Sequence, residues 1–413
     1  MSVRDAIPAP RELPSGWKIV ALHEVTTKIG SGATPRGGES AYLPLRDKFA
    51  LIRSQNVFDH RFETDGLAFI SDKQAAELAN AQVRSGDVLL NITGDGVTFA
   101  RACLVPDDIL PACVNQHVSI VRANPSLVAP GYLVAYLAHP STKGYMESFN
   151  AGGSRRAITK GHIESFQLPL PPLNEQKHIG AMLGTIDKKI ELNRRMNETI
   201  EAIARAIFKS WFVNFPTAHE CHPAVLGEVS DAVKDQVRPD GVAADTPYIG
   251  LEHMPRNRIA LDSWSMAAVV SSNKCRFRRG DILFGKLRPY FHKVGIAPVD
   301  GVCSTDILVI RPKAPDWFGF VLGHASSEEL VSYADAGSTG TKMPRTSWNE
   351  LGRFEIAQPP DEVAGRFNGI VAPLIDRIIH NIHESRTLAT LRDVLLPKLI
   401  SGEVRIKRAE TRA

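Results

Sequence analysis

The sequence predicts a mixed α/β protein with a pseudo-two-fold internal repeat, in which two long antiparallel coiled-coil helices separate two globular α/β domains. The first two observations, which predict the helices, are two stretches of periodic apolar residues. Apolar residues recur at alternating steps of four and three residues from Asn174 to Val213, and again, less regularly, from Asp361 to Leu396. The third observation is that the turn and strand signals before the first stretch recur before the second. The unit of one domain followed by one helix is therefore present twice.

Length and composition indicate a globular protein of two or three domains. The chain has 413 residues, of which 43% are hydrophobic, and its apolar runs are shorter than the ~18 residues of a membrane span. The first residues lack the apolar core of a secretory signal, so we expect a cytoplasmic location. Five cysteines without Cys-x-x-Cys spacing argue against a disulfide framework or a zinc site. The net charge of +4 permits a polyanionic partner without requiring one.

Changes in residue pattern divide the chain into five segments. We expect an N-terminal tail over residues 1–14, a first α/β domain over 15–172, a central helix over 173–215, a second α/β domain over 216–360, and a distal helix with a basic tail over 361–413. In the first domain the pattern predicts strands at Lys18–Val25, Val88–Ile92 and Cys113–Arg122, and helices at Ser71–Ala81 and Pro130–Ala138.

The repeat is visible in pairs of matching segments. Arg279–Phe284 answers Ser85–Leu90, Val302–Arg311 answers Cys113–Arg122, and Ala336–Ser338 answers Gly152–Ser154. The offset between partners varies inside the domains and settles in the helices, so the helices match in length while the domain loops differ. A common scaffold that carries two different working surfaces would show this pattern.

The central helix should present a narrow apolar seam to a partner helix. The seam consists of Ile179, Leu183, Ile186, Ile190, Asn193, Asn197, Ile200, Ala204, Ile207 and Trp211. Asn174 is the expected N-cap, and the intervening charged residues, among them Glu201, are expected in solvent. An ordinary core helix is the alternative. Asn193 and Asn197 either fix the register of the helix pair or are simply solvated.

The distal helix carries a rougher stripe. Its residues are Val371, Ile375, Ile378, Ile382, Leu388, Leu391 and Leu395. Pro373 should interrupt or restart this helix and Pro397 should end it, with a basic tail from Lys398. Antiparallel packing of the two helices would satisfy both stripes and hold the domains at opposite ends of a dumbbell.

Candidate DNA-binding side chains cluster near glycine-rich loops and strand ends. In the first domain they are Thr34, Arg36, Arg53, Gln55, Asn56, Asn115, Gln116, His117, Ser154, Arg155, Arg156 and Lys160; in the second they are Arg278, Lys286, Arg288, Tyr290, Lys293, Ser338, Thr339, Thr341, Lys342 and Arg345. Glycine permits close approach of a backbone, Arg and Lys bind phosphates or guanine, and Asn and Gln can bind adenine edges. Structural hydrogen bonds and a solvated charged face are the alternatives.

Motifs for catalysis in this chain are not found. Gly337–Lys342 lacks the spacing and the following Ser or Thr of a phosphate-binding loop, and Asn124–Ser126 does not match a methyltransferase motif. His117, His162 and His292 lack metal-ligand spacing. We therefore expect any chemistry on DNA to belong to a partner.

Several motifs resemble the specificity subunit of type I restriction-modification systems over nearly the whole chain. They are Pro169–Gln176 and Ile186–Asn193 in the central region, Ala206–Phe215 at its end, Leu395–Glu403 at the distal end, and Ser85–Leu89 with Asn115–Val118 in the first domain. One departure is Asp361–Val363 at the start of the distal helix, where the Glu-Gln pair of the central helix is missing. The departure puts the details of docking at that helix in doubt.

The resemblance implies a non-catalytic subunit that reads a bipartite DNA target. Each target-recognition domain would read one half-site, while the helices set the spacer and dock two adenine-methylating modification subunits. Two restriction subunits, which are nuclease motors, would join for cleavage. The resemblance implies no cofactor on this chain and places S-adenosylmethionine, ATP and magnesium on the partners.

Two other functions remain open from the residues alone: a coiled-coil scaffold that binds only protein, and a free-standing DNA-binding repressor. Because the loops of the two domains differ, we expect different half-sites and a target that is not palindromic.

Overall fold

A computed structural model of the chain describes residues 13–150, 156–214, 220–269, 272–340 and 342–406. These residues form two compact units. The first contains the chain up to Glu191 together with the chain from Leu388, and the second contains Leu192–Thr387. Both mix short strands with helices, which confirms the predicted α/β class. Among the described helices, none combines the length and apolarity needed to cross a membrane.

The first unit contains two sheets of more than two strands. Its strands are β1 (Lys18–Ala21), β2 (Thr26–Ser31), β3 (Phe49–Ile52), β4 (Val57–Phe58), β5 (Arg61–Phe62), β6 (Ala68–Ile70), β7 (Val88–Asn91), β8 (Thr93–Gly94), β9 (Ala102–Leu104), β10 (Ala112–Val114), β11 (Val118–Ala123), β12 (Arg156–Ala157) and β13 (Gln167–Leu170). Its helices before the central helix are Asp72–Glu77, Pro130–Ala138, Pro140–Ser148 and Lys160–Glu164. The larger sheet has the antiparallel order β2–β11–β7–β9. The other has the order β10–β3–β6, in which β10 and β3 are parallel.

The second unit repeats this plan. Its strands are β14 (His222–Val225), β15 (Ser230–Ala232), β16 (Gln236–Val237), β17 (Pro247–Ile249), β18 (Ser265–Met266), β19 (Lys274–Phe277), β20 (Ile282–Gly285), β21 (Val294–Ile296), β22 (Gly301–Cys303), β23 (Ile307–Pro312) and β24 (Glu355–Gln358). Its helices before the distal helix are Leu226–Val229, Phe318–Ala325, Glu328–Ala336 and Trp348–Leu351. The order β15–β23–β20–β21 matches β2–β11–β7–β9, and the parallel pair β17–β22 matches β3–β10.

In each unit, the same kind of ion pair lies at the start of a central strand of the four-stranded sheet. Asp87, directly before β7, accepts hydrogen bonds from Nε and Nη2 of Arg122 on β11, both at 2.7 Å. Asp281, directly before β20, accepts from Arg311 on β23 at 2.7 and 2.6 Å. The glycine before each aspartate has a φ angle of +80° or +90°, a left-handed conformation that favours glycine. The recurring Gly-Asp of the sequence is therefore one turn with one ion pair, used twice.

A short helix packs on this sheet in each unit and fills the core. Pro130–Ala138 buries Tyr132 and Tyr136 completely in the first unit. Phe318–Ala325 takes the same place in the second. Around it lies an aromatic cluster of Phe208, Phe212, Phe320 and Phe367. Because Phe208 and Phe212 follow the predicted seam, the end of the central helix is fixed into the core of the second unit.

The central helix covers Leu173–Phe208 and continues as a π-helical segment over Lys209–Asn214, close to the predicted limits. The predicted seam residues are all buried or half-buried. Asn174 is not the N-cap, because the helix begins one residue earlier and the amide of Gln176 binds the carbonyl of Pro172 at 3.1 Å.

The expectation that Glu201 faces solvent is wrong. Its side chain accepts hydrogen bonds from the amides of Ile259 at 3.1 Å and Ala260 at 2.9 Å, and the residue is 6% exposed. Burial raises the pKa of this carboxyl, while the two backbone bonds oppose the rise. Glu201 thus ties the central helix to a loop of the second unit.

The distal helix is continuous over Asp361–Ser401, so the predicted interruption at Pro373 and the predicted end at Pro397 are wrong. A proline leaves the carbonyl four residues earlier without its helical partner. Those carbonyls belong to Gly369 and Asp393, which are both exposed, so water can replace the missing amides.

Two further features of the distal helix differ from expectation. Leu391 was predicted in the apolar stripe but is 46% exposed, and Arg392 takes the inward position because its charge has a partner in Asp187. The helix also includes Lys398, where the basic tail was expected to begin. Residues 407–413 of that tail lie outside the described part of the chain.

Within the first unit, the segments of the two long helices run in opposite directions. Nη1 of Arg392 donates to Oδ1 of Asp187 at 2.9 Å, and Nδ1 of His60 lies 3.2 Å from the other oxygen of that carboxylate. Arg405, just beyond the distal helix, donates to Glu175 at 2.8 and 3.0 Å. Residue numbers on one helix therefore rise as those on the other fall.

The helix segments of the second unit are also antiparallel and are joined by buried amides. Nδ2 of Asn381 donates to Oδ1 of Asn197 at 2.8 Å, and Nδ2 of Asn193 donates to Glu384 at 2.8 Å. Asn193 and Asn197 are 0% and 6% exposed, so they are not solvated. Since a slip along either helix would leave these amides unpaired, they favour one register.

A side-chain amide near the start of each long helix binds the backbone of the adjacent domain. Gln176 accepts from the amide of Ala129 at 2.9 Å and donates to the carbonyl of Leu127 at 3.1 Å. On the distal helix, Asn368 accepts from the amide of Gly319 at 3.0 Å and donates to the carbonyl of Pro315 at 3.1 Å. The glutamine missing from Asp361–Val363 thus has its counterpart further along the helix.

We expect Glu201→Ala to lower the free energy of unfolding of the second unit by about 3 kcal/mol, because two amides lose their acceptor in a buried setting. Ala202→Ser changes the exposed neighbouring position and should change stability by less than about 0.5 kcal/mol. Denaturant unfolding of both variants provides the measurement. Equal midpoints for Glu201→Ala and the unsubstituted chain would show that the contact contributes nothing.

Candidate nucleic-acid interface

In the first unit, four segments converge at one end of the larger sheet. β8 continues β7 and pairs with β12, so that Gly94 lies opposite Arg156. The turn Asn115–His117 lies beside them, since the amide of Ile92 donates to the carbonyl of His117 at 3.0 Å. The loop after β2 brings Thr34 to the same turn. We call Thr34, Thr93, Gln116, His117 and Arg156 the first strand-end site.

Four side chains of the first strand-end site are linked to one another. The hydroxyl of Thr34 donates to Oε1 of Gln116, whose Nε2 lies 3.2 Å from Nε2 of His117. On the other side of the imidazole, Nδ1 lies 2.5 Å from Oγ1 of Thr93. Gln116 is exposed and yet held in place. A positioned amide of this kind can donate to and accept from the edge of a base such as adenine.

Arg156 brings a positive charge to this site. Its Nη1 donates to Oε1 of Glu147 at 2.5 Å, and the guanidinium lies against Gly96, where an added Cβ would be 3.6 Å from Nη2. Asp95 closes the adjoining loop by accepting from the amide and the hydroxyl of Thr98, both at 2.8 Å. These bonds lower the pKa of Asp95. The carboxylate of Asp95 therefore bonds within its own loop, and the ion-pair partner of Arg156 is Glu147.

Two of the predicted base-reading side chains are buried and hold loops instead. Asn56 is 0% exposed, and its amide group donates to the carbonyl of Glu63 at 3.0 Å and accepts from the amide of Arg53 at 3.0 Å. Asn115 is 5% exposed and accepts from the amide of His117. Asn56 and Asn115 therefore have a structural role.

The remaining candidates of the first domain are spread over its surface. Arg53 donates to Glu39 and to the carbonyl of Gly66, which also accepts from the exposed Gln55 at 3.2 Å. The other described candidates, Arg36 and Lys160, are both exposed, and Lys160 lies 3.5 Å from Glu164. Ser154 and Arg155, and Thr341 in the second domain, lie outside the described residues.

The second unit has a corresponding site. The amide of Lys286, after β20, donates to the carbonyl of Asp306 at 2.9 Å, as Ile92 does to His117. Arg345 forms a bridge with Leu287 and exchanges two backbone bonds of 3.0 Å with Thr339. Arg345 thus takes the position that Arg156 holds in the first unit. We call Lys286, Arg288, Asp306, Lys342 and Arg345 the second strand-end site.

The second strand-end site is strongly basic and incompletely bonded. Nε of Arg345 donates to Oδ1 of Asp306 at 3.2 Å, which leaves the other cations without a carboxylate in this site. Arg288 has a φ angle of +52°, and its Nε is shielded from water without a protein partner among the described residues. Oγ1 of Thr346, next to Arg345 in the chain, is likewise shielded from water without a protein partner among the described residues. Buried groups of this kind are rare in folded proteins and mark a place where a ligand can complete the bonding.

Other predicted residues of the second domain surround this site or lie away from it. Tyr290 is 51% exposed and packs edge-on against Phe291 at 4.7 Å. Lys293 points inward to the carbonyl of Leu251, and burial lowers its pKa. Arg278 lies before β20, at the opposite strand end. The hydroxyl of Ser338 donates to the carbonyl of Asp335 at 2.7 Å.

Three residues of these surfaces were not predicted. Thr93 and Asp306 became candidates only through their bonds to His117 and Arg345. Arg256 lies 4.0 Å above the ring of Phe291 and adds a further cation. Asp306 occupies the position in the second half of the repeat that His117 occupies in the first. An alignment of the two halves could therefore have identified Asp306 as a candidate.

Comparison with known proteins gives one consistent result. Residues 14–202 match the family model of the type I restriction modification DNA specificity domain. The MjaIX type I restriction enzyme specificity subunit of Methanocaldococcus jannaschii is 21% identical, with 96% of this chain and 95% of the relative covered. The HindI specificity subunit of Haemophilus influenzae is 22% identical, with 94% and 100% covered.

A solved structure shares the fold. The S subunit of a type I restriction-modification system from M. genitalium aligns with a TM-score of 0.56 at 14% identity, covering 95% of this chain and 98% of that one. Both relatives are named as specificity subunits of type I restriction enzymes. The chain is thus similar to type I restriction-modification specificity subunits over nearly its whole length, and residues 14–202 carry the match to the DNA specificity domain.

Proposed function

We propose that this chain reads a bipartite, asymmetric sequence of double-stranded DNA, with one half-site contacted by each strand-end site. The target-recognition domains comprise residues 15–172 and 216–360. Residues 1–14 lie outside both domains in sequence, and the helical segments 173–215 and 361–413 set the spacer between the half-sites. The observation that carries the proposal is the recurrence of one backbone arrangement, at the same strand ends of both units, with different side chains on it.

The second strand-end site has the chemistry of a phosphate and guanine contact. Lys286, Arg288, Lys342 and Arg345 supply four cations against one carboxylate in this site. Arginine can donate two bonds to O6 and N7 of guanine, and lysine can neutralise phosphates. The unpartnered Nε of Arg288 would gain an acceptor in such a complex.

The first strand-end site is chemically different. Its exposed amide at Gln116 suits the N6 and N7 edge of adenine, and Arg156 is its cation. Because the first site depends on an amide and the second on several cations, the two half-sites should differ. An asymmetric target follows.

The long helices also have exposed apolar side chains suited to docking. In the first unit these are Met182, Leu391 and Val394, and in the second they are Leu192, Ile203 and Ile370. Contiguous exposed apolar patches often mark the sites where other proteins bind. We infer that they bind two modification subunits, which methylate adenine, and that two restriction subunits join this complex. S-adenosylmethionine, ATP and magnesium would then act on the partners, with no cofactor on this chain.

Sequencing of methylated DNA from cells that hold this chain and its modification subunit should reveal two different half-sites at one fixed spacing. Loss of the chain should abolish that methylation pattern. A palindromic target would contradict the proposal that the two half-sites differ. DNA binding without methylation in the presence of the modification subunit would instead favour a free-standing repressor.

We expect Gln116→Ala to relax base preference in one half-site alone, at a cost of about 1–3 kcal/mol for the preferred sequence. Binding to targets with single base changes, in the complex with the modification subunit, measures this effect. Gln82→Ala, at an exposed position outside the strand-end site, is the matched control. Unchanged preference in both half-sites would remove Gln116 from the reading surface.

Lys342→Ala should weaken binding of all DNA sequences alike and reduce the slope of log affinity against log salt by about one. The reason is that a phosphate contact carries no sequence information but releases a counterion. Lys234→Ala, exposed elsewhere on the same unit, should leave the slope unchanged. Affinity that does not depend on salt in any of these proteins would favour the protein-binding scaffold.

A further inference from the structure

Two cysteines of the second unit lie directly opposite each other in neighbouring strands. Cys275 on β19 pairs with Cys303 on β22 in an antiparallel ladder. The amide of Arg276 bonds to Asp235 on the outer side of β19, and the amide of Ser304 bonds to Ile249 on the outer side of β22. Since amides alternate in direction along a strand, Cys275 and Cys303 face each other as a hydrogen-bonded pair, with Cα atoms about 5.5 Å apart. Disulfides commonly form at such a separation, with a mode of about 5.5–6 Å.

The two thiols share one face of the sheet. Side chains of directly opposed residues project to the same side, and both cysteines pack in the core cluster that contains Phe277 and Leu283. Cys275 contacts the carbonyl of Val233 at 3.5 Å. The sulfur atoms therefore need no large backbone movement to meet.

Their surroundings give the two cysteines different roles. Cys275 is half-buried, whereas Cys303 is 0% exposed, so an oxidant reaches Cys275 first. A hydrogen bond with Cys303 lowers the pKa of the Cys275 thiol against the opposing effect of burial. The same contact, with burial, raises the pKa of Cys303. Cys275 thus ionises first, and the thiolate is the reactive form.

The other cysteines lack such a partner in the described structure and provide internal controls. Cys103 and Cys113 are buried, and burial raises the pKa of both, for Cys113 to about 11. Cys221 is half-buried, and burial raises its pKa too. Since a raised pKa keeps a thiol protonated at neutral pH, these three should react slowly.

We propose that Cys275 and Cys303 form a reversible disulfide when a peroxide reaches the second unit, and that this bond weakens DNA reading by the second strand-end site. The Cys275 thiolate attacks one oxygen of the peroxide, the O–O bond breaks, and a sulfenic acid and one water form when hydrogen peroxide is the oxidant. The sulfur of Cys303 then attacks the sulfenic sulfur, its proton leaves with the hydroxyl group as a second water, and the S–S bond forms. Two thiols are oxidised by two electrons and the peroxide is reduced to two waters.

The link to DNA reading rests on the function proposed above and on where Cys303 lies in the chain. It directly precedes the turn Ser304–Asp306, whose Asp306 binds the backbone of Lys286 and the guanidinium of Arg345. Opposed residues have Cβ atoms about 4.5–5.5 Å apart. A disulfide needs about 3.5–4.5 Å, so bond formation draws the strands together by roughly 1 Å beside this turn. A shift of this size displaces the contacts of Asp306.

The first test is chemical and requires no DNA. The full chain is treated with hydrogen peroxide, digested and analysed by peptide mass spectrometry. We expect a peptide pair that links Cys275 to Cys303, with a loss of two hydrogen atoms, that disappears on treatment with dithiothreitol. Cys275→Ser and Cys303→Ser should each abolish the link, while Cys221→Ser should retain it. Unlinked thiols, or conversion of Cys275 to a sulfinic acid without a link, would overturn the proposal.

The second test measures binding of the target DNA by the reduced and the peroxide-treated chain in complex with its modification subunit. Oxidation should weaken binding about tenfold, comparable to the loss of one base contact. Cys275→Ser should bind equally before and after treatment. Equal affinities of the linked and reduced chains would overturn the effect on reading. Failure of the reduced chain to bind DNA specifically would instead overturn the proposed function and leave the disulfide mapping unaffected.

Discussion

The ion pair between a strand-opening aspartate and an arginine on the neighbouring strand fixes the geometry of both units. Asp87 and Asp281 each bind a guanidinium with both carboxylate oxygens, and each also accepts the amide three residues earlier, at 2.7 Å. The first contact sets the register between two strands, and the second closes the turn. A slip of one residue would turn the apolar face of the strand into solvent and leave the carboxylate unpaired. The strand ends where the candidate sites lie follow from this register.

The sequence predicted the features that depend on local chemistry. Gly-Asp before an apolar strand recurs in both halves because the turn needs a left-handed glycine and a carboxylate, so the repeat was legible without a structure. The apolar seam of the central helix was also predictable, because its periodicity depends on residues that are close together in the chain. Of the candidate site, Gln116, His117 and Arg156 were identified in the first unit, and Lys286, Arg288, Lys342 and Arg345 in the second. Their convergence was not predictable, since it depends on how separate strands are ordered in a sheet.

Three of the errors have a common cause, because the position of each residue depends on a contact that its own sequence pattern does not reveal. Glu201 resembles a solvated helix residue until the amides of Ile259 and Ala260 are placed beside it. Asn56 resembles a base-reading side chain until its loop closes around it. Leu391 and Arg392 exchange their expected places because Asp187 lies opposite the arginine. Periodicity is a property of one helix, whereas the burial of its residues depends on the elements that pack against it.

Three polar side chains that fasten the helices to the domains bind backbone atoms. Gln176 holds Ala129 and Leu127, Asn368 holds Gly319 and Pro315, and Glu201 holds Ile259 and Ala260, in every case through a main-chain amide or carbonyl. Every amino acid offers a main-chain carbonyl, and all but proline offer the amide. These three attachments therefore do not depend on which side chains the domain presents at the contact. At these three points the scaffold thus tolerates diversification of the surfaces that it carries.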